Sequence, residues 1–169
     1  GAGSWGTALA LQLARNGHAV RLWHYEASRA AEMQRTRENS RYLPGVRLPD
    51  GVLVTASASE ALKETALVVV VVPSQAIRKV IGGIIQDIPL GVPVVCASKG
   101  IEEGSLMTMD QVLAELLPQG HPICALSGPS FAREVAEGKP TAVVVAGADS
   151  SAVECSARAF HGGFFRVYH

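Results

Sequence analysis

Cysteine is scarce in this chain: Cys96, Cys124 and Cys155 are odd in number, widely spaced and without a C-x-x-C pair. That excludes a disulfide framework and a structural zinc site, and it suits a reducing cytoplasm. Charge of one sign is not in excess either, because fifteen Lys and Arg offset fifteen Asp and Glu. No broad field therefore draws the chain to nucleic acid or to an anionic membrane. Long hydrophobic runs are missing. The longest, Ala66 to Val72, is far too short to span a bilayer, and no segment resembles a secretory signal. Metal-ligand spacing is absent among the five histidines, so His18, His121 and His161 read as turn or surface residues and no metal is expected.

What is present suits one globular domain. With 169 residues, 48% hydrophobic and 18% charged, the chain buries a proper core and is not a disordered tail or linker. It opens on GAGSWG, which puts Gly1, Gly3 and Gly6 at the head of an apolar-periodic stretch, Thr7 to Asn16, closed by Asn16-Gly17. Ala19 to Trp23 follows as a strand. This is the order of a dinucleotide-binding turn. Gly1 permits the tight turn, Gly3 lets the backbone approach a pyrophosphate, and Gly6 allows close helix–strand packing, with the phosphate resting on N–H groups at the helix start. The strand that should feed Gly1 is not in this sequence, so an apolar run before Gly1, or another chain, is expected to complete the sheet.

Strand and helix signals then alternate. Ala27 to Glu38 reads as a helix, Leu43-Pro44-Gly45 as the start of a loop reaching Asp50-Gly51, Val52 to Thr55 as a strand, and Ser57 to Lys63 as a short helix with capping-box spacing. Leu67 to Val72 is the run of a strand buried on both faces. Helix Gln75 to Ile85, strand Val92 to Ala97, helix Leu106 to Leu117 and strand Ile123 to Leu126 continue the pattern. Phe131 to Glu137, Thr141 to Ala146, Ala152 to Phe160 and Phe164 to Tyr168 add two helices and two strands at one edge. The fold class is α/β: a doubly wound, Rossmann-like, mostly parallel sheet with helices on both faces and extra strands at one edge.

Ligands of such sheets collect beyond the carboxyl ends of the strands, which directs attention to four segments. In GAGSWG, Ser4 offers a hydroxyl and Trp5 an aromatic cover. In Trp23-His24-Tyr25-Glu26, Tyr25 or Glu26 falls roughly 20 residues after the glycines, where a ribose-reading acid is expected. A carboxylate there favours NAD, while His24 and Arg29 would accept the 2′-phosphate of NADP; Tyr25 displaces the acid, which tilts the reading towards NADP. In Ser98-Lys99-Gly100, a lysine at a strand end holds a phosphate or polarises a carbonyl. In Ser127-Gly128-Pro129-Ser130-Phe131-Ala132, Ser130 is a natural N-cap whose helix start also suits an anion.

GAGSWGTALA, NSRYLPG with the LP that follows, VVVVPSQAIR, ASKGIE, SGPSFAREVAEGKPTA and FFRVY together resemble the NAD(P)-dependent glycerol-3-phosphate dehydrogenase family, bacterial type, across the whole chain. The resemblance implies reversible reduction of dihydroxyacetone phosphate to sn-glycerol 3-phosphate with NADP or NAD as cofactor, supplying the phospholipid backbone. It also implies a cytoplasmic homodimer. Carried over, Ser4, Trp5, His24 or Tyr25, Tyr42 and Ala132 are similar to cofactor contacts, Gly128 and Ser130 to substrate contacts, and Lys99 to the lysine that touches both and orients the substrate. In the family an all-helical domain follows FFRVY and supplies the lysine that acts as general acid. No lysine lies after Lys139 here, so residues 1–169 are expected to be the cofactor-binding domain without its first strand, and not to turn over alone. The readings weighed against this are a related two-domain 2-hydroxyacid or ketopantoate reductase, which SGPSF and ASKG oppose, and a non-catalytic nicotinamide-binding module.

Overall fold

The computed structural model describes residues 1–169. Helix α1 (Ser4–Arg15) leads to β1 (Val20–Trp23) and α2 (Ala27–Thr36). A hairpin of β2 (Glu38–Asn39) and β3 (Leu43–Arg47) precedes β4 (Val52–Thr55) and α3 (Ala58–Leu62). Then come β5 (Val68–Val70), a 3₁₀ turn running into α4 (Ile77–Ile84), β6 (Val94–Cys96), α5 (Met109–Leu116) and β7 (Ile123–Ser127). The chain ends on α6 (Ala132–Ala136), β8 (Thr141–Gly147), α7 (Ser150–Phe160) and β9 (Phe165–Tyr168). The expected alternation is present.

Five strands form one sheet in the order β5-β6-β7-β8-β9, parallel except where β8 runs against β7. Alternation along β6 divides two cores: Val95 and Ala97 join the core that contains α1 and α7, whereas Val94 and Cys96 join the one that contains α4 and α5. Helices therefore cover both faces, as a doubly wound sheet requires. On the first face Phe160 and Phe165 are fully buried, their rings 6.4 Å apart and tilted at 41°. Truncating either to Ala would cost on the order of 3–5 kcal/mol.

Strands β1 and β4 pair in parallel with each other and with nothing else. Between β1 and β5 lies a cavity of about 690 Å³ whose lining includes every residue from Val20 to Trp23 and from Leu67 to Val72. Consecutive residues of a strand point to opposite faces, so an unbroken lining means that the cavity faces two strand edges. Helix α1 residues Leu9 and Leu13 line one side, and Ile81 and Ile84 of α4 the other. This slot explains why Leu67, Val69 and Val71 are only half-buried in a strand expected to be buried on both faces.

Helix α1 is fastened to the far end of the chain. The Gln12 amide donates to the carbonyl of Phe160 at 3.0 Å, and the Asn16 amide donates to Ala159 at 2.8 Å. Two local expectations need correction. The loop expected from Leu43 contains β3, because Leu43 and Arg47 pair across to Asn39 and Glu38; Pro44 is tolerated in this two-stranded ribbon, and Gly45 turns at φ 76. Helix α5 starts at Met109, not Leu106, because Thr108 and Gln111 form a capping box, and Leu106 sits in the left-handed region at φ 59.

Candidate functional site

The opening turn is a cradle that a methyl group would fill. A Cβ on Gly1 would stand 2.5 Å from the Val71 carbonyl oxygen, and one on Gly6 would collide with the carbonyl oxygen of Gly1. Gly1 is thus needed for close approach to β5. In front of Gly3 there is open space, and no side chain caps the α1 N-terminus, which carries no acidic residue in its first turn. Its first N–H groups therefore face open space without a competing carboxylate. Trp5, half-buried on the same turn, holds its indole N–H buried without a partner. An open glycine turn, an uncapped helix start and an orphaned donor fit a dinucleotide.

Asn39 holds that turn, and sequence reasoning missed it. Its buried amide donates to the Ala2 carbonyl at 2.9 Å and to the Thr7 hydroxyl at 2.8 Å, while its oxygen accepts from the Tyr42 amide at 3.3 Å. One side chain thus ties the glycine turn to the Tyr42 loop. Nothing local marks it: Asn39 stands between Glu38 and Ser40, and its partners Ala2 and Thr7 lie more than thirty residues upstream.

Beyond β1, His24 is buried and stacks on exposed Tyr25, ring centres 5.2 Å apart and 14° from parallel. Its Nδ1 accepts the Glu26 amide at 3.0 Å. Burial, opposed by the Glu26 carboxylate, leaves the His24 pKa below its ordinary value. The ring offers a stacking face beside Tyr25. Arg29 and Arg41 border one small hollow with His24, Ser40 and Tyr42. Arg29 pairs with Glu32 at 3.1 Å, and the Arg41 guanidinium lies 5.2 Å from the Tyr42 ring centre.

At the carboxyl end of β6, the exposed Lys99 reaches over the Trp5 indole, its ammonium 5.7 Å from the ring centre, and donates to the Gly128 carbonyl at 3.2 Å. Ser130 does not cap α6, whose N-cap is Phe131; its hydroxyl donates to the same Gly128 oxygen at 3.3 Å. Phe131, extended at φ −108 and ψ 133, delays the helix by one residue and leaves the Ser130 hydroxyl bonded back to the end of β7. A Cβ on Gly128 would lie 2.7 Å from the Ala142 carbonyl oxygen, so glycine is needed where β7 meets β8. Ala132 opens α6, whose last carbonyls Val135 and Ala136 accept from Arg15 of α1. Ser4, Trp5, Lys99, Gly128, Ser130 and Ala132 thus share one rim; His24, Tyr25 and Tyr42 stand beyond β1, joined to it through Asn39. The arrangement can hold an extended anion on α1 and present a cation and a hydroxyl at one end of it.

A family model described as the NAD-dependent glycerol-3-phosphate dehydrogenase N-terminus matches residues 1–153. The chain belongs to this family. Curated glycerol-3-phosphate dehydrogenases [NAD(P)+] of Geobacter sp. strain M21 and Geobacter metallireducens are 45% and 49% identical to it over 170 aligned positions, covering 99% of this chain. The chain spans about half the length of these relatives, 51% of each. The crystal structure of glycerol-3-phosphate dehydrogenase from Coxiella burnetii superposes with a TM-score of 0.93 at 40% identity, covering 99% of this chain and 51% of that one. A 3-hydroxyisobutyrate dehydrogenase of Mycobacterium tuberculosis shares the fold at TM-score 0.70 and 18% identity. Glycerol-3-phosphate dehydrogenase family membership accounts for a mostly parallel, Rossmann-like sheet and for NAD or NADP as the dinucleotide that the glycine turn fits. No helix is long and apolar enough to cross a membrane.

Proposed function

We propose that residues 1–169 form the cofactor-binding half of an enzyme that interconverts dihydroxyacetone phosphate and sn-glycerol 3-phosphate. The observation that carries this reading is the convergence of Lys99 and Ser130 on Gly128 beside Trp5 and the open glycine turn. When bound, a reduced nicotinamide dinucleotide supplies the hydride. Gly1, Gly3, Ser4, Trp5 and Gly6 hold its phosphate end, Tyr25, Tyr42 and His24 flank the adenosine, and Ala132 borders the nicotinamide side. Lys99 then orients the substrate's C2 carbonyl and stabilises negative charge developing on that oxygen, while Gly128 and Ser130 contact the substrate. The other half of the relatives' length is proposed to be a helical domain with the general acid that protonates this oxygen. The intact enzyme is proposed to be a cytoplasmic homodimer serving glycerophospholipid synthesis.

The slot between β1 and β5 is proposed to take one extended apolar segment preceding Gly1. Two facing strand edges and apolar helices on both sides are what a central strand of such a sheet meets. The experiment for the main reading is an assay of the full-length protein with dihydroxyacetone phosphate and either reduced cofactor, following nicotinamide absorbance. Substrate-dependent oxidation is expected. Its absence in a protein that binds the cofactor would leave only a binding module.

A further inference from the structure

Lys99 sits in a connection, residues 98–107, that forms no helix yet is tied down on both sides of the lysine. Upstream, the Ser98 hydroxyl accepts from the Val72 amide at 2.9 Å. Downstream, Glu102 takes two parallel bonds from Arg78 of α4, at 2.8 and 2.9 Å, and a third from the Ser105 hydroxyl at 2.6 Å. Arg78 also reaches Glu115 of α5 at 2.7 Å. Gln75 clamps the same loop with both ends of its amide: nitrogen to the Ile101 carbonyl at 2.9 Å, oxygen from the Glu103 amide at 3.0 Å. Between these anchors Gly100 turns at φ 126, so close to Ser74 that a Cβ would stand 2.9 Å from its hydroxyl oxygen.

The chemistry of the strap is directional. A bidentate guanidinium–carboxylate pair fixes orientation as well as distance, and Glu102, with its side chain only 13% exposed, is shielded from competing water. By contrast the Arg47–Asp50 pair stands 4.0 Å apart with side chains 76% and 96% exposed, where such a pair fixes little. The end product of the strap is the Lys99 backbone. A lysine stem has four rotatable carbons, so where its ammonium dwells depends on how firmly its Cα is held. We propose that Arg78, through Glu102, is a positioning residue that sets the Lys99 ammonium between Trp5 and Gly128. This rests on the reading of Lys99 as the substrate-orienting group.

The test is a double-mutant cycle in the full-length protein, with Arg78→Lys and Lys99→Ala alone and combined. Arg78→Lys keeps the charge but loses the fork. Alone it is expected to lower kcat/KM for dihydroxyacetone phosphate about tenfold, because misplacement of a catalytic group is costly. In the Lys99→Ala background it is expected to change kcat/KM by less than about twofold, since a residue acting through Lys99 has nothing left to act on. Equal losses in both backgrounds, or no loss in either, overturn the proposal. A second readout needs no turnover: acetylation of Lys99 relative to Lys79, read by peptide mass spectrometry, rises in Arg78→Lys if the strap restrains the lysine. An unchanged ratio overturns the strap even if the protein proves inactive. Inactivity with dihydroxyacetone phosphate together with a raised ratio overturns the proposed function and leaves the restraint standing.

Discussion

Lys99 holds its ammonium 5.7 Å from the centre of the Trp5 indole, joining the end of β6 to the first turn of α1. At an exposed site such a cation–π contact is worth only about 0.5–1 kcal/mol, so it places the lysine more than it stabilises the fold. Replacing Lys99 by Ala in the full-length enzyme should leave the urea midpoint almost unchanged. It should lower kcat/KM for dihydroxyacetone phosphate by about 10²–10³-fold, the loss expected for one charge-stabilising donor. Steady-state kinetics with unaltered kcat/KM would remove Lys99 from the reaction.

Gly6 tests the turn. Its missing Cβ is what allows the Gly1 carbonyl to lie against α1, so Gly6→Ala forces backbone to move and should destabilise the protein by about 1–3 kcal/mol. Gly3→Ala faces open space and should cost little stability while weakening dinucleotide binding, because the methyl occupies the approach of the phosphates. Paired urea unfolding and cofactor fluorescence titrations separate the two. The same loss of stability in both variants would contradict the geometry.

His24 gives a pH dependence with a fixed sign. Its folded pKa is lowered by burial from the ordinary 6.5; below 6.5 the unfolded chain therefore binds more protons than the folded one. Stability is then expected to fall as the pH drops through 6.5, levelling off once the folded ring also protonates. The fall should be steeper in the parent than in a His24→Gln variant, compared by urea midpoints from about pH 7 to pH 5. Parallel curves would show that the ring is not held neutral.

The thiols report on the slot. Burial pushes the Cys96 thiol up to about 11, and Cys124 is raised for the same reason, whereas half-buried Cys155 lines the slot. Iodoacetamide should label Cys155 first in the 169-residue chain and Cys96 and Cys124 only on unfolding. In a longer protein whose additional strand fills the slot, Cys155 should be protected. Equal Cys155 labelling in both proteins would argue that the slot stays open.

Much of this was legible because the fold is written in short-range patterns. The valine run of β5, the Asn16-Gly17 stop of α1 and the Ser57 cap, which accepts the Glu60 amide at 3.1 Å, each carry their own signal. What was not legible depends on partners distant in the chain. Ser130 has the composition of a cap, yet its hydroxyl turns to Gly128. His24 has the position of a charge reader, and only the fold shows that burial lowers its pKa. Asn39 is defined by Ala2 and Thr7, more than thirty residues upstream, and Arg78 by a carboxylate on another loop.

The reach of Gln12 to Phe160, across 148 residues, bears on the order of assembly during synthesis. The helix that carries the phosphate turn is made before α7, and its Gln12 amide nitrogen reaches the Phe160 carbonyl only once α7 has been made, so closing that contact is among the most non-local steps of folding. Competence to grip a dinucleotide should consequently arrive late and all at once, and a ribosome-stalled chain halted before Ser150 should ignore cofactor that the released chain retains.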